Sequence, residues 1–309
     1  MTRVSTFGNY QSALLNLMAA QSRGLEAQKR LATEKVADDL TGYGRGAETL
    51  TALKSAQSRI DGFIQTGEAV AARMNSQALA FDRIAAGADG ARQAIAEAIA
   101  AGRADGLMLE MQSYFQSVQD GLNAKHQGRY LFAGADTQTQ PVTVDILADL
   151  AAAPDVASVF ANDGLATVSR LDENATLKTG FLANEVGTEL FQIFREIQEY
   201  HTGPNGPLNG QIDDDTRDFL TTQLGRLRDA HSNVIDVAAR SGAIQARVDS
   251  ILTSHDNQQM SLRELISNRT DADMAKAVTD LQMSQFAIQA SAQVISQLQS
   301  SSLLNLLRF

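Results

Sequence analysis

The residues of this chain with chemical potential are four histidines, a glycine-rich stretch and an acidic triplet, and none has the spacing a reaction centre needs. His126, His201, His231 and His255 fall in separate segments. No His-Glu-x-x-His pair puts two imidazoles on one helical face for zinc. His231 and His255 lie on periodic apolar stripes, where a packed or half-buried ring is expected rather than a ligand. Gly42-Tyr43-Gly44-Arg45-Gly46 lacks both the Gly-x-Gly-x-x-Gly spacing and a preceding strand, so it does not read as a dinucleotide site. Asp213-Asp214-Asp215 could attract a cation, but acidic residues at this point read as a helix cap. There is no Gly-x-Ser-x-Gly elbow and no Walker lysine. The chain reads as a non-enzyme, with no catalytic residue, cofactor or metal.

Composition narrows the classes further. The 309 residues carry a net charge of -10, no cysteine, no tryptophan and four prolines. The apolar content is mostly alanine and leucine, a profile of long helices rather than of a compact α/β enzyme. Arg23, Lys29, Arg30 and Lys35 cluster, but Glu26, Glu34, Asp38 and Asp39 stand among them, so no basic face exists for nucleic acid. Without cysteine there is no disulfide framework and no thiolate site. The first residues contain Asn9, Gln11, Ser12 and Asn16 instead of an apolar h-region, so no cleavable signal peptide is read there. No stretch approaches the roughly 20 apolar residues of a membrane span.

The elements that would position any site are helices. The first is expected from about Gln11 to Lys35, with Leu14, Met18, Leu25 and Ala32 in one stripe and Leu17, Ala20, Ala27 and Leu31 widening it. Gly42, Gly44 and Gly46 then mark a turn. Leu53, Ile60, Gly67, Met74, Phe81, Ala88 and Ile95 recur every seven residues. At ~1.5 Å per residue that helix would run about 75 Å. A shorter helix carries Leu107, Met111, Phe115, Val118 and Leu122. A loop follows over Tyr130 to Thr143, then short strands at 167–171 and 175–178. Helix resumes from Thr188 to Tyr200 and is broken by Gly203-Pro204-Asn205-Gly206-Pro207. A second long helix holds Leu220, Leu227, Val234, Ser241, Val248, His255 and Leu262 at heptad spacing, and Ser267 to Asp271 reads as a hinge.

The expected fold class is mainly α: an elongated antiparallel helical rod or coiled coil built from both termini, with a small mixed α/β insertion. Residues 1–42 and 270–309 form its terminal coiled-coil domain, 43–136 and 185–269 its long-helix rod, and 137–184 an outward-facing insertion. Met74, Met111, Met274 and Met283 read as core filler.

The strongest signal is association. Met274, Leu281, Ile288 and Ile295 recur every seven residues, with Ala277, Ser284, Ser291 and Leu298 three positions after each. The chain then closes on Leu303, Leu304, Leu306, Leu307 and Phe309. Such a seam implies partners that cover it. The candidate assembly interface comprises Leu14, Leu17, Met18, Leu25 and Leu31 of the first helix with Met274, Leu281, Ile288, Ile295, Leu298 and the five tail residues.

The ends carry a family resemblance. Met1-Thr2-Arg3-Val4-Ser5-Thr6 with Tyr10 resembles the start of bacterial flagellar hook–filament junction proteins, the flagellin-like hook-associated proteins. Arg30-Leu31-Ala32-Thr33-Glu34-Lys35 followed by Asp38-Asp39 is similar to the superfamily's Leu-x-Thr-Gly-Lys and Ser-Asp-Asp-Pro pattern, with Glu34 in place of the glycine and Leu40 in place of the proline. The 273–307 segment is similar to the C-terminal signature. Tyr130 to Val142 resembles the lead into a junction protein's insertion, and no Lys-Leu-Leu-Asn-Gly-like stretch of filament flagellins occurs there.

The resemblance implies a structural subunit joining hook to filament, with terminal helices lining an axial tube. It implies export through the flagellar channel without a cleaved signal, an extracellular place on the flagellum, and a ring or tubular homo-oligomer. The implied partners are a neighbouring hook-associated protein, flagellin and an export chaperone. A chain without cysteine or tryptophan suits threading through a narrow channel. The alternatives are a divergent filament flagellin, or a flagellin-like surface protein holding a ligand such as a glycan on Thr137 to Asn184.

Overall fold

The computed structural model describes residues 2–306, with side chains over 8–299. The chain is mainly α, and its two sheets are two-stranded antiparallel hairpins. The helices are α1 (Thr2–Thr33), α2 (Ala47–Ala101), α3 (Leu107–Leu122), α4 (Leu147–Ala152), α5 (Ala183–Thr202), α6 (Asp214–Thr270) and α7 (Met274–Leu306). The strands are β1 (Lys125–His126) paired with β2 (Arg129–Tyr130), and β3 (Val168–Arg170) paired with β4 (Thr176–Lys178). The chain divides into two compact units, 1–60 with 258–309, and 61–257.

The larger unit owes its helices to the expected heptads. Met74, Phe81, Ala88 and Ile95 of α2 are buried, as are Leu220, Leu227, Val234, Ser241, Val248 and His255 of α6. A strict seven-residue row stays on one helical face, so it can meet another such row throughout its length. The α3 row of Leu107, Met111, Phe115, Val118 and Leu122 is buried too. Phe115 sits edge-on to Phe191 and Phe194 of α5, with ring centroids 5.1 and 5.6 Å away. Asp213 caps α6 by accepting from the Thr216 N–H at 2.8 Å. Those bonds, first through Thr216, hold the Asp213 carboxyl below its ordinary range. The acidic triplet is therefore a cap in fact as in sequence.

Residues 137–184 belong to this unit, and their apolar side chains share its core. Val142, Leu147, Leu150 and Val159 are buried in the same cluster as Phe115, Phe191 and Leu227. The loop stands on local side-chain bonds. Asn123 pairs with Val142 in both directions, at 2.9 and 3.1 Å. Asp163 accepts from the N–H groups of Ala135 and Leu165, both at 2.9 Å. Phe160 and Phe181, the aromatic rings that could have formed a glycan platform, instead pack on Phe191 and Phe81 at 5.1 and 5.4 Å.

In the smaller unit, α1 and α7 pack as an antiparallel pair, for Gly24 faces Ser284 and Lys35 faces Asp271. Two backbone bonds tie their adjoining ends, Val36 N–H to Thr270 O at 2.7 Å and Ala272 N–H to Glu34 O at 2.9 Å. Glu34 occupies the left-handed C-terminal cap of α1, with φ +58° and its N–H on Arg30 O at 2.9 Å. The related pattern has glycine at this position, and the backbone shows why. Leu40 begins a 3-10 turn to Gly46 that is kinked at Gly44, with Asp39 as its cap, accepting from Gly42 N–H at 3.0 Å.

Two expectations are corrected. Residues 267–270 are helical, and the break between α6 and α7 spans only 271–273, because Asp271 and Asp273 supply the local bonds of the turn and the next cap. Met274 and Met283 are not core filler; both are exposed, whereas Met74 and Met111 are buried. Small residues, rather than methionine, fill the α1–α7 seam.

Candidate assembly surface

The seam between α1 and α7 is made of residues too small to hold the helices apart. Ala13, Ala20, Gly24 and Ala27 are the buried row of α1, and Ala277 and Ser284 that of α7. A Cβ on Gly24 would lie 3.4 Å from the Ser284 Cβ, ordinary van der Waals contact. Such close approach leaves larger neighbouring side chains on the flanks. Leu17 and Leu31 of α1 are half-buried, and so are Leu281, Ile288, Ile295 and Leu298 of α7.

Several large apolar residues of these helices, among those whose side chains are described, face solvent. Leu14 is at the edge of exposure, Met18 is 58% exposed and Leu25 67%. Leu15 is exposed as well. On α7, Met274 and Val278 are exposed, with Met283 at 65%, Phe286 at 75% and Val294 at 47%. An isolated exposed leucine is ordinary surface. Here they form rows on both helices of one pair, an exposed apolar face of the kind that a binding surface presents. Leu303, Leu304 and Leu306 fall in the last turn of α7, and their side chains lie outside the described ones; Leu307 and Phe309 lie outside the described residues.

Sequence reading missed the outer row of α7. Met283, Phe286, Ala290 and Val294 are spaced by three, four and four, a second helical stripe beside the heptad seam. It also missed the β1–β2 hairpin, whose signal is the Gln127-Gly128 turn with φ of 50° and 78°.

His255 and His201 are held in structural contacts. His255 is buried, stacks on Phe63 at 5.7 Å, and its Nε2 lies 2.8 Å from the Leu171 carbonyl oxygen. His201 Nδ1 accepts from the Leu208 N–H at 3.1 Å. His231 is half-buried on α6. Among the described residues no group of three or more potential metal ligands converges, and no helix is long and apolar enough to cross a membrane.

The chain is thus mainly α, its first and last helices paired along a small-residue seam with apolar rows outside it. Residues 224–307 match the family of the bacterial flagellin C-terminal helical region. The fold is similar to that of a Vibrio parahaemolyticus protein assigned as a flagellar hook-associated protein, with 16% identity, a TM-score of 0.60, and 75% of this chain and 99% of that one covered. It is also similar to FlgL of Bacillus cereus, at 13% identity and a TM-score of 0.55, covering 70% of this chain and 99% of that one. No curated protein matches the chain in sequence.

Proposed function

We propose that this chain is a structural subunit of the bacterial flagellum that joins hook to filament, polymerising through its terminal helices. The observation that carries the reading is the pair of exposed apolar rows on α1 and α7, Met18 and Leu25 on one and Met283, Phe286 and Val294 on the other. A chain that keeps such side chains in water gains by covering them, at about 1.5–3 kcal/mol for each large one fully buried. A second, third and further copy laid against the α1–α7 pair supplies the cover. In this reading the terminal pair lines an axial tube, residues 137–184 face outward, and the tail residues Leu303, Leu304, Leu306, Leu307 and Phe309 join the interface. The partners are further copies of itself, a neighbouring hook-associated protein and flagellin. The chain reaches the cell exterior through the flagellar channel, held beforehand by an export chaperone.

The junction reading is favoured over a divergent filament flagellin by two things. Tyr130 to Val142 resembles the lead into a junction protein's insertion, and both solved structures cited above are described as hook-associated or FlgL. A deletion strain separates the two. Hooks without filaments, with flagellin released into the medium, support the junction role; complete hooks carrying normal filaments contradict it.

A further inference from the structure

We propose that a cleft in the larger unit, walled by α2, the β1–β2 hairpin and residues 165–168, binds a small oxyanion-bearing molecule, a carboxylate or a phosphate, through Arg73 and Arg129. The cleft has a volume of about 780 Å³, and its lining includes Arg73, His126, Arg129 and Tyr130 but no aspartate or glutamate. That volume is within the ~300–1,000 Å³ of small-molecule sites. In a chain of net charge -10, a cavity lined by two arginines and no aspartate or glutamate runs against the background.

Arg73 has no anionic partner among the described residues. Its Nη2 donates to the hydroxyls of Thr179 and Ser169, the latter at 3.4 Å, and its Nε is buried without any hydrogen-bond partner. Burial alone lowers the Arg73 pKa, the sign of a cation held away from water without a counter-charge. A guanidinium so placed is costly until an oxyanion reaches it, and its planar fork suits two oxygens at once. Arg129 stands on the hairpin wall, exposed and without an ion pair among the described residues. Lys125, whose Nζ lies 4.2 Å from the Tyr130 ring centroid, adds positive charge to the same hairpin. The acids of the neighbouring loop are already engaged. Asp163 accepts from the Ala135 and Leu165 N–H groups at 2.9 Å, and Asp136 from the Thr139 hydroxyl at 2.6 Å.

The site is independent of the terminal helices and of the assembly reading. Its test is calorimetric titration of the full chain at low ionic strength with malonate and, separately, with inorganic phosphate. Saturable binding of at least one is expected, and the relative affinities name the oxyanion. Arg129→Gln should weaken that binding about tenfold, the loss of one charge-assisted hydrogen bond. Arg73→Met should abolish it. Because Arg73 also ties Ser169 and Thr179 to α2, the exposed Arg129 variant decides if the Arg73 variant melts early. Absence of saturable binding by both anions, an unchanged Kd in Arg129→Gln, or equal binding of uncharged dimethyl malonate would overturn the proposal.

Discussion

Lys35 donates to the Asp271 carboxylate at 2.5 Å, and the same two residues form an antiparallel backbone bridge. The contact joins the adjoining ends of α1 and α7. The Lys35 hydrogen bond, aided by the Ser267 and Thr270 hydroxyls, holds the Asp271 carboxyl at about 2, below its ordinary 3.8. A depressed carboxyl stabilises the folded form above its unfolded pKa and loses that contribution as pH falls through the folded value. Acid should therefore loosen the α1–α7 pair between about pH 4 and pH 2. Amide exchange at Val36 and Ala272, followed against pH, reports it. Asp271→Asn should flatten the profile across that window.

Glu34 is the residue at which this chain departs from the glycine of the related pattern, and its φ of +58° is where a side chain is unfavourable. Glu34→Gly should stabilise the smaller unit by about 1 kcal/mol, the relief of one left-handed non-glycine residue. Thermal unfolding of the free subunit measures it. A neutral or destabilising result would show that the Glu34 side chain compensates its own backbone.

Gly24 permits the seam without wasting space. Because a Cβ there meets the Ser284 Cβ at 3.4 Å, Gly24→Ala should fold normally, with a helix-propensity gain of up to about 1 kcal/mol. Gly24→Leu should separate the helices, and proteolysis of α7 should accelerate.

Much of this architecture was legible in the sequence because heptad rows are long and redundant. The α6 row from Leu220 to His255 is buried without exception, and the five-residue row of α3 likewise. The terminal helices were legible too, for of the two α7 rows read as a seam Ala277 and Ser284 are buried, Leu281, Ile288, Ser291, Ile295 and Leu298 are half-buried, and Met274 is exposed. Within that seam the deepest positions are the small Ala277 and Ser284 rather than the large residues of the row starting at Met274. Gly24 and Ala27 let the partner backbone come close, and close approach rewards small residues over large ones. What the heptad reading passed over is the second stripe, Met283, Phe286 and Val294, which stays exposed. The segment from Leu131 to Leu182 was least legible outside its two strands, which fall where expected. Its shape rests on single bonds such as those of Asp163 and Asn123, and these leave no periodic trace.

Phe286 separates folding from assembly. Its ring is 75% exposed, so Phe286→Ser should change the unfolding free energy of the free subunit by no more than about 0.5 kcal/mol. In a polymer that buries the ring, the same change should weaken each contact by about 1.5–3 kcal/mol, roughly ten- to a hundredfold. Sedimentation of the polymer alongside melts of the subunit reads both.

The most direct measurement is hydrogen exchange over 277–299 in the free subunit and in the assembled structure. The α1–α7 seam is narrow and its flanking side chains are wet, so weak protection in the subunit and strong protection on assembly are expected. Equal and strong protection in both would contradict the claim that these helices are completed by neighbouring copies.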